Sequence, residues 1–291
     1  EINGYFPSFS AMHNHGIGIS YISDGIAAAE RNVSQDELTR YFLSGQKLNF
    51  NSSFHFDAFR VGAYLRQIAL QRGVIHIEET VRDFNLDPET GLVTEVLLRN
   101  AGPVCVDFVI DATGFARTLI QKKLKTAWYS LSDILIMDRA IPFHLTHPRK
   151  NPDLVTRATA LSSGWVWQIP LQKRVGAGYV FSSHYLSEDQ ALTELEAWHG
   201  NRIDPIRTIQ FEAGYFEQVW RGNVMAIGLA SGFVEPLEAT SIGQTIHQIE
   251  LFCNLVIENG FVIPPKTIEF FNLQHRQAWN GIGDFVRMHY D

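Results

Sequence analysis

The segment from residue 224 to residue 258 places the strongest limit on the fold. It opens with a short apolar run typical of a buried strand, passes through a loop carrying Glu235 and Glu238, and continues into a long segment with apolar residues at helical spacing. A buried strand that leads into a helix is a unit of mixed α and β domains. Backbone amides at the start of such a helix, beside a carboxylate, form a site suited to an anion and to polar chemistry.

The sequence of the first half of the chain predicts alternating helices and strands. Residues 54–58 lead into a helix that apolar spacing predicts to run to about residue 71, followed by a strand over 73–77, a hairpin of 81–86 and 92–99, and a strand over 104–110. Asp111, Ala112, Thr113 and Gly114 follow this last strand. These residues could simply form a turn at the end of a strand. Alternatively, they form a turn that brings the backbone close to a cofactor, which requires the glycine. Residues 1–53 predict loops and short helices over a site.

Residues 128–185 predict a sheet-rich lobe, with strands at 140–143, 164–170 and 176–183, followed by a helix over 186–199. Trp165 and Trp167 are two residues apart in one of these strands, so both side chains point to one face of the sheet. A packed aromatic pair explains this pattern structurally. A strand at 224–228 and helices over 241–258 and from 266 to the end complete the prediction.

Charge and cysteine content limit the partners. The chain has 291 residues, enough for two lobes, and its 24 Lys and Arg against 31 Asp and Glu give a net charge of -7. This balance argues against nucleic acid or an anionic membrane as the main partner. Cys105 and Cys253 suggest neither a disulfide framework nor a thiolate metal site, and they fit a reducing cytoplasm. The sequence contains no run of about 18 apolar residues, so it predicts no membrane span.

Three motifs together resemble the flavin-dependent halogenases, the family that includes the tryptophan halogenases. They are Trp-Val-Trp-Gln-Ile-Pro at 165–170, Gly-Phe-Val-Glu-Pro-Leu-Glu-Ala-Thr-Ser-Ile at 232–242, and Asp-Ala-Thr-Gly at 111–114. The resemblance implies an α/β (mixed α+β) chain with a hydroxylase-type FAD-binding fold and a sheet-rich substrate lobe. By this interpretation residues 1–127 are part of the FAD-binding domain, 128–220 form the substrate lobe, and 221–291 return to the FAD domain and end in helices. N- and C-terminal parts of the natural protein are expected to be missing.

The resemblance also implies roles for particular residues. Glu238 is expected to be catalytic, and the backbone amides of Thr240 and Ser241 to hold a halide. Cofactor contacts are assigned to Asp111, Gly114, Gly228, Leu229 and Ile242, and the substrate-lobe motif to Trp165 and Trp167. Two positions depart from the tryptophan halogenases, which have serine at the position of Ala239 and glycine at that of Ser241. The catalytic lysine of the family is expected upstream of this chain.

The implied activity is halogenation of a small electron-rich aromatic substrate, indole- or phenol-like, free or carrier-bound. Reduced FAD would come from a separate flavin reductase, and FAD, dioxygen and halide would together produce the halogenating species. A flavin-dependent aromatic monooxygenase is an alternative, although it would lack the Trp pair and the glutamate segment. A non-catalytic flavin-binding relative is another, which Ala239 and Ser241 leave open.

Two weaker patterns are rejected as sites. Residues 16–21 begin like a dinucleotide-binding glycine motif, but Tyr21 replaces the third glycine and no buried strand precedes it. The His pairs at 13 and 15 and at 144 and 147 have metal-like spacing but no further carboxylate or cysteine at matching intervals. We therefore predict solvated loops there and no metal.

Overall fold

The structure is a computed structural model that describes residues 55–147, 155–260 and 262–291. The chain divides into two compact units. The first takes the described parts of Glu1–Val74, Ala140–Tyr179 and Glu188–Thr208, and the second takes Ile75–Arg139, Val180–Ser187 and the described parts of Ile209–Asp291. The rejected glycine motif at 16–21 and the His pair at 13 and 15 lie outside the described residues.

The strands of the described residues, in chain order, are β1 (Val81–Leu86), β2 (Val93–Leu98), β3 (Gly102–Cys105), β4 (Val109–Asp111), β5 (Trp128–Ser130), β6 (Arg139–Leu145), β7 (Arg157–Ala160), β8 (Gly164–Pro170), β9 (Val175–Phe181), β10 (Ile209–Gln210), β11 (Gly214–Phe216), β12 (Trp220–Arg221), β13 (Val224–Ala226) and β14 (Gly232–Phe233). The α-helices are α1 (Ala58–Gln71), α2 (Glu188–His199), α3 (Thr240–Glu258) and α4 (Pro265–Arg287). Gly114–Ala116, Gly228–Ala230 and Leu237–Ala239 are 3-10 turns, and Thr118–Lys123 is a π-helix.

In the first unit, strands β6, β9, β8 and β7 lie side by side in that order, and β7 and β8 are antiparallel. Trp167 on β8 packs across Gly178 on β9, where a Cβ would lie 2.0 Å from Cη2 of the indole. Only glycine leaves room for this ring, so the small residue on one strand and the large residue on the next fit as a pair.

Helix α1, also in the first unit, begins at a capping aspartate. Asp57 Oδ1 accepts hydrogen bonds from the backbone N–H groups of Phe59 (3.1 Å) and Arg60 (3.3 Å), as expected for a helix start. Its other carboxylate oxygen lies 2.9 Å from Arg174 Nη2. The hydrogen bond from Arg174 is the largest cause that lowers the pKa of Asp57. This side chain therefore stays ionised while it holds the helix start.

The second unit contains three small sheets with strand orders β1-β2-β3, β14-β11-β5 and β12-β13-β4. The pair β4 and β13 is parallel, with Val109 opposite Val224, and the other assigned pairs are antiparallel. The core beneath them is strongly aromatic. Its fully buried members include Phe216, Trp220 and Phe271.

Helices α3 and α4 follow each other as a hairpin in the second unit. Asn259 is the C-cap of α3, and Gly260 after it has a φ of +61°, a left-handed conformation that suits glycine. Asn272 on α4 joins the helix to β12, because its amide oxygen accepts from Trp220 N–H (2.9 Å) and its amide nitrogen donates to Trp220 C=O (2.9 Å). The helical hairpin is thus fixed to the sheet beside it.

The structure confirms the mixed α and β fold and corrects two element predictions. Residues 73–77 form no strand, and Val74, Ile75 and Ile77 are 57%, 85% and 49% exposed, since no strand of the described chain pairs with them. The strand predicted over 104–110 is divided into β3 and β4, which belong to different sheets. Val109 leaves the first sheet because its N–H donates to Asn223 C=O, 2.8 Å away, before the chain pairs with β13.

Candidate functional site

The carboxyl ends of β4 and β13 lie at one edge of their sheet, because the two strands are parallel. Ile227 N–H donates to Asp111 C=O (3.0 Å) just past the last strand pair. The chain then turns at Gly114–Ala116 after β4, here called the Gly114 turn, and at Gly228–Ala230 after β13, the Gly228 turn. In open α/β sheets, ligands bind at this carboxyl edge.

Both turns begin with a glycine in the left-handed region. Gly114 has a φ of +62° and Gly228 a φ of +59°. Apart from Gly114 and its two chain neighbours, no heavy atom of the described residues lies within 4 Å of a Cβ built on Gly114. A ligand can therefore approach the backbone of Gly114 closely, and the residues of this edge fit a flat cofactor such as FAD.

Asp111, predicted as a cofactor contact, is 1% exposed. Its Oδ1 accepts from Thr113 N–H (3.1 Å) and Thr113 Oγ1 (2.6 Å), and its Oδ2 from the N–H groups of Leu119 (3.0 Å) and Ile120 (2.8 Å). This carboxylate ties the loop that holds Gly114 to the π-helix behind it. Its contribution to a cofactor site is therefore to shape the Gly114 turn from inside.

Arg117 follows the Gly114 turn and was not singled out by the sequence patterns. It is 8% exposed, and its guanidinium carbon lies 3.6 Å from the ring centroid of Trp128. Burial lowers the pKa of Arg117 to about 10, and the negative charge of Glu212 opposes this effect. The side chain is thus still a cation at neutral pH, held against an aromatic face beside the Gly114 turn.

The loop before α3 contains two consecutive residues in the left-handed region. Glu238 has φ and ψ of 60° and 9°, and Ala239 of 52° and 34°. Neither is glycine, and such backbone costs about 1–3 kcal/mol per residue, a kind of strain that clusters at functional sites. The N-cap of α3 is Ala239, whose side chain caps nothing.

This geometry favours anion binding at the start of α3. Amides of a first helical turn have no acceptor within the helix, and a side chain at the N-cap usually satisfies one of them. Ala239 cannot do so. The amides of Thr240 and Ser241 are therefore well placed for an anion, and the helix dipole adds to the attraction.

Two carboxylates of this loop meet two adjacent residues just after α4. Glu238 is half-exposed, with Oε1 3.5 Å from His289 Nε2, whereas Glu235 is buried and its Oε1 accepts from the Tyr290 hydroxyl. His289 Nδ1 lies 2.9 Å from the carbonyl oxygen of Phe285, so Nδ1 carries a proton and Nε2 is directed at Glu238. Sequence patterns missed both contacts, since nothing local to either segment indicates the other.

The apolar residues predicted to meet the cofactor lie in the same unit. Leu229 is half-buried in the Gly228 turn, and Ile242 is 52% exposed in the first turn of α3. The second unit thus brings together Glu238, the helix start, the two glycine turns and these apolar side chains. Trp165 and Trp167 belong to the first unit, where their ring centroids are 6.2 Å apart.

A cavity of about 430 Å³ lies within the second unit. Its lining includes Asp138, Ser183 and Phe211. Phe211, Phe233 and Phe115 form a row of edge-to-face rings, with centroid separations of 5.1 and 5.0 Å. These packed rings fill the space between the cavity wall and the Gly114 turn.

The second His pair takes part in ordinary contacts, and the loop predicted there is wrong for His144, which lies on β6. Arg174 Nη1 lies 2.9 Å from His144 Nδ1, and His147 Nε2 lies 2.5 Å from the carbonyl oxygen of Leu171. No group of three or more metal-ligating side chains occurs in the part of the chain that the structure describes. In those same ranges, no helix is both long and apolar enough to cross a bilayer.

Comparison with known proteins shows the family to which the chain is related. The family model for tryptophan halogenase matches residues 2–291. The chain is 34% identical over 274 residues to the 7-chloro-L-tryptophan 6-halogenase KtzR of Kutzneria sp. strain 744, covering 92% of this chain and 52% of that protein. It is 36% identical over 253 residues to the tryptophan 7-halogenase RebH of Lentzea aerocolonigenes, covering 85% and 47%.

Among solved structures, BrvH, a flavin-dependent halogenase from Brevundimonas sp. BAL3, superposes with a TM-score of 0.75 and 35% identity, over 81% of this chain and 48% of that one. The chain spans about half the length of the relatives it matches. The match to the family model nevertheless covers nearly all of its residues. The chain therefore belongs to the tryptophan halogenase family of flavin-dependent enzymes.

Proposed function

We propose that the full-length protein is an FAD-dependent halogenase that modifies a small electron-rich aromatic compound, indole- or phenol-like, free or carrier-bound. The observation that carries the proposal is that Glu238, the uncapped start of α3 and two left-handed glycine turns all belong to one unit of the chain. Membership of the family supports the same conclusion.

The cofactor edge is formed by backbone and apolar side chains. In this proposal Gly114 and Gly228 let the flavin approach the backbone, and Leu229 and Ile242 offer it apolar contacts, while Asp111 holds the loop behind Gly114. FAD, reduced by a separate flavin reductase and with dioxygen as co-substrate, supplies the oxidation of the halide. The protein supplies placement and excludes water.

The halide is held by backbone amides at the start of α3. The N–H groups of Thr240 and Ser241 donate to it, so the Ser241 side chain in place of glycine leaves the contact intact. Glu238, one residue before the N-cap, accepts the proton that the aromatic ring releases when the carbon–halogen bond forms. Its left-handed backbone sets the carboxylate beside the helix start, and His289 Nε2 lies on its other side.

The protein is further proposed to act in the cytoplasm. Cys105 and Cys253 are free and exposed, which suits a reducing compartment. A reductase that delivers reduced flavin would work in the same compartment.

The test uses the full-length protein with FAD, NADH, a flavin reductase, oxygen, bromide and an electron-rich indole. Wild type is expected to form the bromoindole, and Glu238→Gln to bind FAD normally but to lose about 10²-fold or more of the rate. Glu250→Gln, an exposed glutamate on α3, is the matched control and should keep full rate.

A hydroxylated product without consumption of bromide would replace this proposal with an aromatic monooxygenase. Binding of FAD with neither product would indicate a non-catalytic flavin-binding protein. Normal bromination by Glu238→Gln would remove this glutamate from the mechanism and leave the family assignment in place.

A further inference from the structure

Three polar side chains from three elements meet in the interior of the second unit. Ser231, Gln248 and His275 are 0%, 1% and 2% exposed, and they come from the end of the Gly228 turn, from α3 and from α4. A buried neutral polar group is costly unless it is hydrogen-bonded. These three form a connected chain of contacts, and none of them belongs to the halide or base sites described above.

The contacts run from the Gly228 turn to α4. Ser231 Oγ lies 2.7 Å from Gly228 C=O and 3.1 Å from Gln248 Oε1, and Gln248 Nε2 lies 3.2 Å from His275 Nδ1. Ser231 N–H also donates to Gly228 C=O, at 2.9 Å. Backbone and side chain of Ser231 thus close the Gly228 turn together, and Gln248 ties the closed turn to both helices.

The imidazole is suited to this place only in its neutral form. Gln248 Nε2 is a donor, so Nδ1 of His275 must be free of a proton to accept from it. Burial lowers the pKa of His275 to about 3, against a smaller opposing effect of the Ser231 backbone. The ring is therefore a neutral acceptor at neutral pH.

We propose that His275 is a positioning residue for the cofactor: through Gln248 and Ser231 it fixes the Gly228 turn at the distance from α3 that FAD and halide require together. This rests on the proposed function, in which the Gly228 turn meets the flavin and the start of α3 holds the halide. Gln248 lies two turns along α3 from Thr240, so the network joins the cofactor turn to the same rigid helix that carries the halide amides.

The experiment compares His275→Leu with His275→Asn in the full-length protein, with FAD as the probe. Asparagine places an amide acceptor near the position of Nδ1, whereas leucine has none. We expect FAD affinity, measured from flavin fluorescence, to fall about tenfold in His275→Leu, the effect of losing one buried acceptor. His275→Asn should restore it to within about threefold of wild type.

Asn272→Leu is the matched control. Asn272 is another buried amide on α4, but it bonds to β12 and not to the Gly228 turn. The Asn272→Leu variant should lower the urea midpoint of unfolding by as much as His275→Leu does, while its FAD affinity stays within about twofold of wild type. All titrations are made in the absence of urea, with folding of each variant verified by circular dichroism.

The outcomes separate the two proposals. An unchanged FAD affinity in a folded His275→Leu, or an equal loss of affinity in Asn272→Leu, would overturn the positioning role. Equal loss in His275→Asn and His275→Leu would do the same, since the acceptor would then be irrelevant. Failure of the wild type to bind FAD would instead refute the proposed function itself.

Discussion

Asp111→Asn separates a structural role from a cofactor role at a residue that the sequence assigns to FAD. The carboxylate accepts four hydrogen bonds, two on each oxygen, and is almost fully buried. Asparagine keeps one acceptor oxygen, and its NH₂ group faces the donors on the other side. Two bonds to a charged acceptor are therefore lost.

At about 1.5 kcal/mol for each such bond, the free energy of unfolding should fall by about 3 kcal/mol. Urea denaturation followed by circular dichroism measures it. Asp107→Asn, an exposed aspartate before β4, should stay within about 0.5 kcal/mol of wild type. Thr113→Val removes a hydroxyl that donates to Asp111 and accepts from Thr118 N–H, so at about 1 kcal/mol for each bond it should cost about 2 kcal/mol.

The FAD titration decides between the roles. If Asp111→Asn unfolds at the same urea concentration as wild type yet binds FAD poorly, the carboxylate contacts the cofactor and the structural reasoning is wrong. If stability falls as calculated and FAD affinity falls with it, Asp111 acts through the Gly114 turn.

Gly178→Ala should destabilise the protein by about 1–3 kcal/mol in urea denaturation, because the new methyl group would overlap the Trp167 ring. Gly176→Ala should not, because the nearest heavy atom to its new methyl group would lie 3.7 Å away. Equal stability of the two variants would show that the Trp167 ring is placed elsewhere. The folded-state pKa of His275, about 3, lies below the usual value of 6.5. The stability that this neutral ring contributes is therefore present above about pH 6.5 and is lost as the pH falls towards 3, by up to about 1.4 kcal/mol per pH unit. His275→Asn should lose less stability than wild type between pH 7 and 4, and parallel curves would contradict this. Ser241→Gly should keep the bromide dependence of the reaction. Ser241→Pro should fold, because proline is tolerated in a first helical turn, but it should need far more bromide, because it lacks the N–H group. Identical bromide dependence of Ser241→Pro and wild type would place the halide elsewhere.

The elements predicted best are those encoded by local spacing. The strand and helix around residues 224–258 appear as β13 and α3, because the apolar period of each is uninterrupted. The failures depend on partners distant in sequence. The strand expected at 73–77 has apolar residues but no neighbour to pair with, and the division of the next strand depends on Asn223.

The candidate site shows the same limit. The motif around Glu238 could be found from its residue types, whereas the left-handed backbone of Glu238 and Ala239 could not, since neither is a glycine or an asparagine. The contacts of His289 and Tyr290 appear only when α4 has returned alongside the loop. Their carboxylate partners lie about fifty residues earlier in the chain, beyond any local pattern.

The parallel pairing of β4 with β13 has a consequence for the order of assembly. Two segments of the first unit, Ala140–Tyr179 and Glu188–Thr208, lie between these strands in the chain, so the ribosome must release both segments before the pair can close. Contacts so distant in sequence form slowly. Under the proposed function FAD binds only after this pair has closed, so during refolding the fluorescence change of added FAD should lag behind the appearance of secondary structure. In that proposal, bound FAD stabilises the folded protein by an amount that rises with the logarithm of the free FAD concentration once this exceeds the dissociation constant.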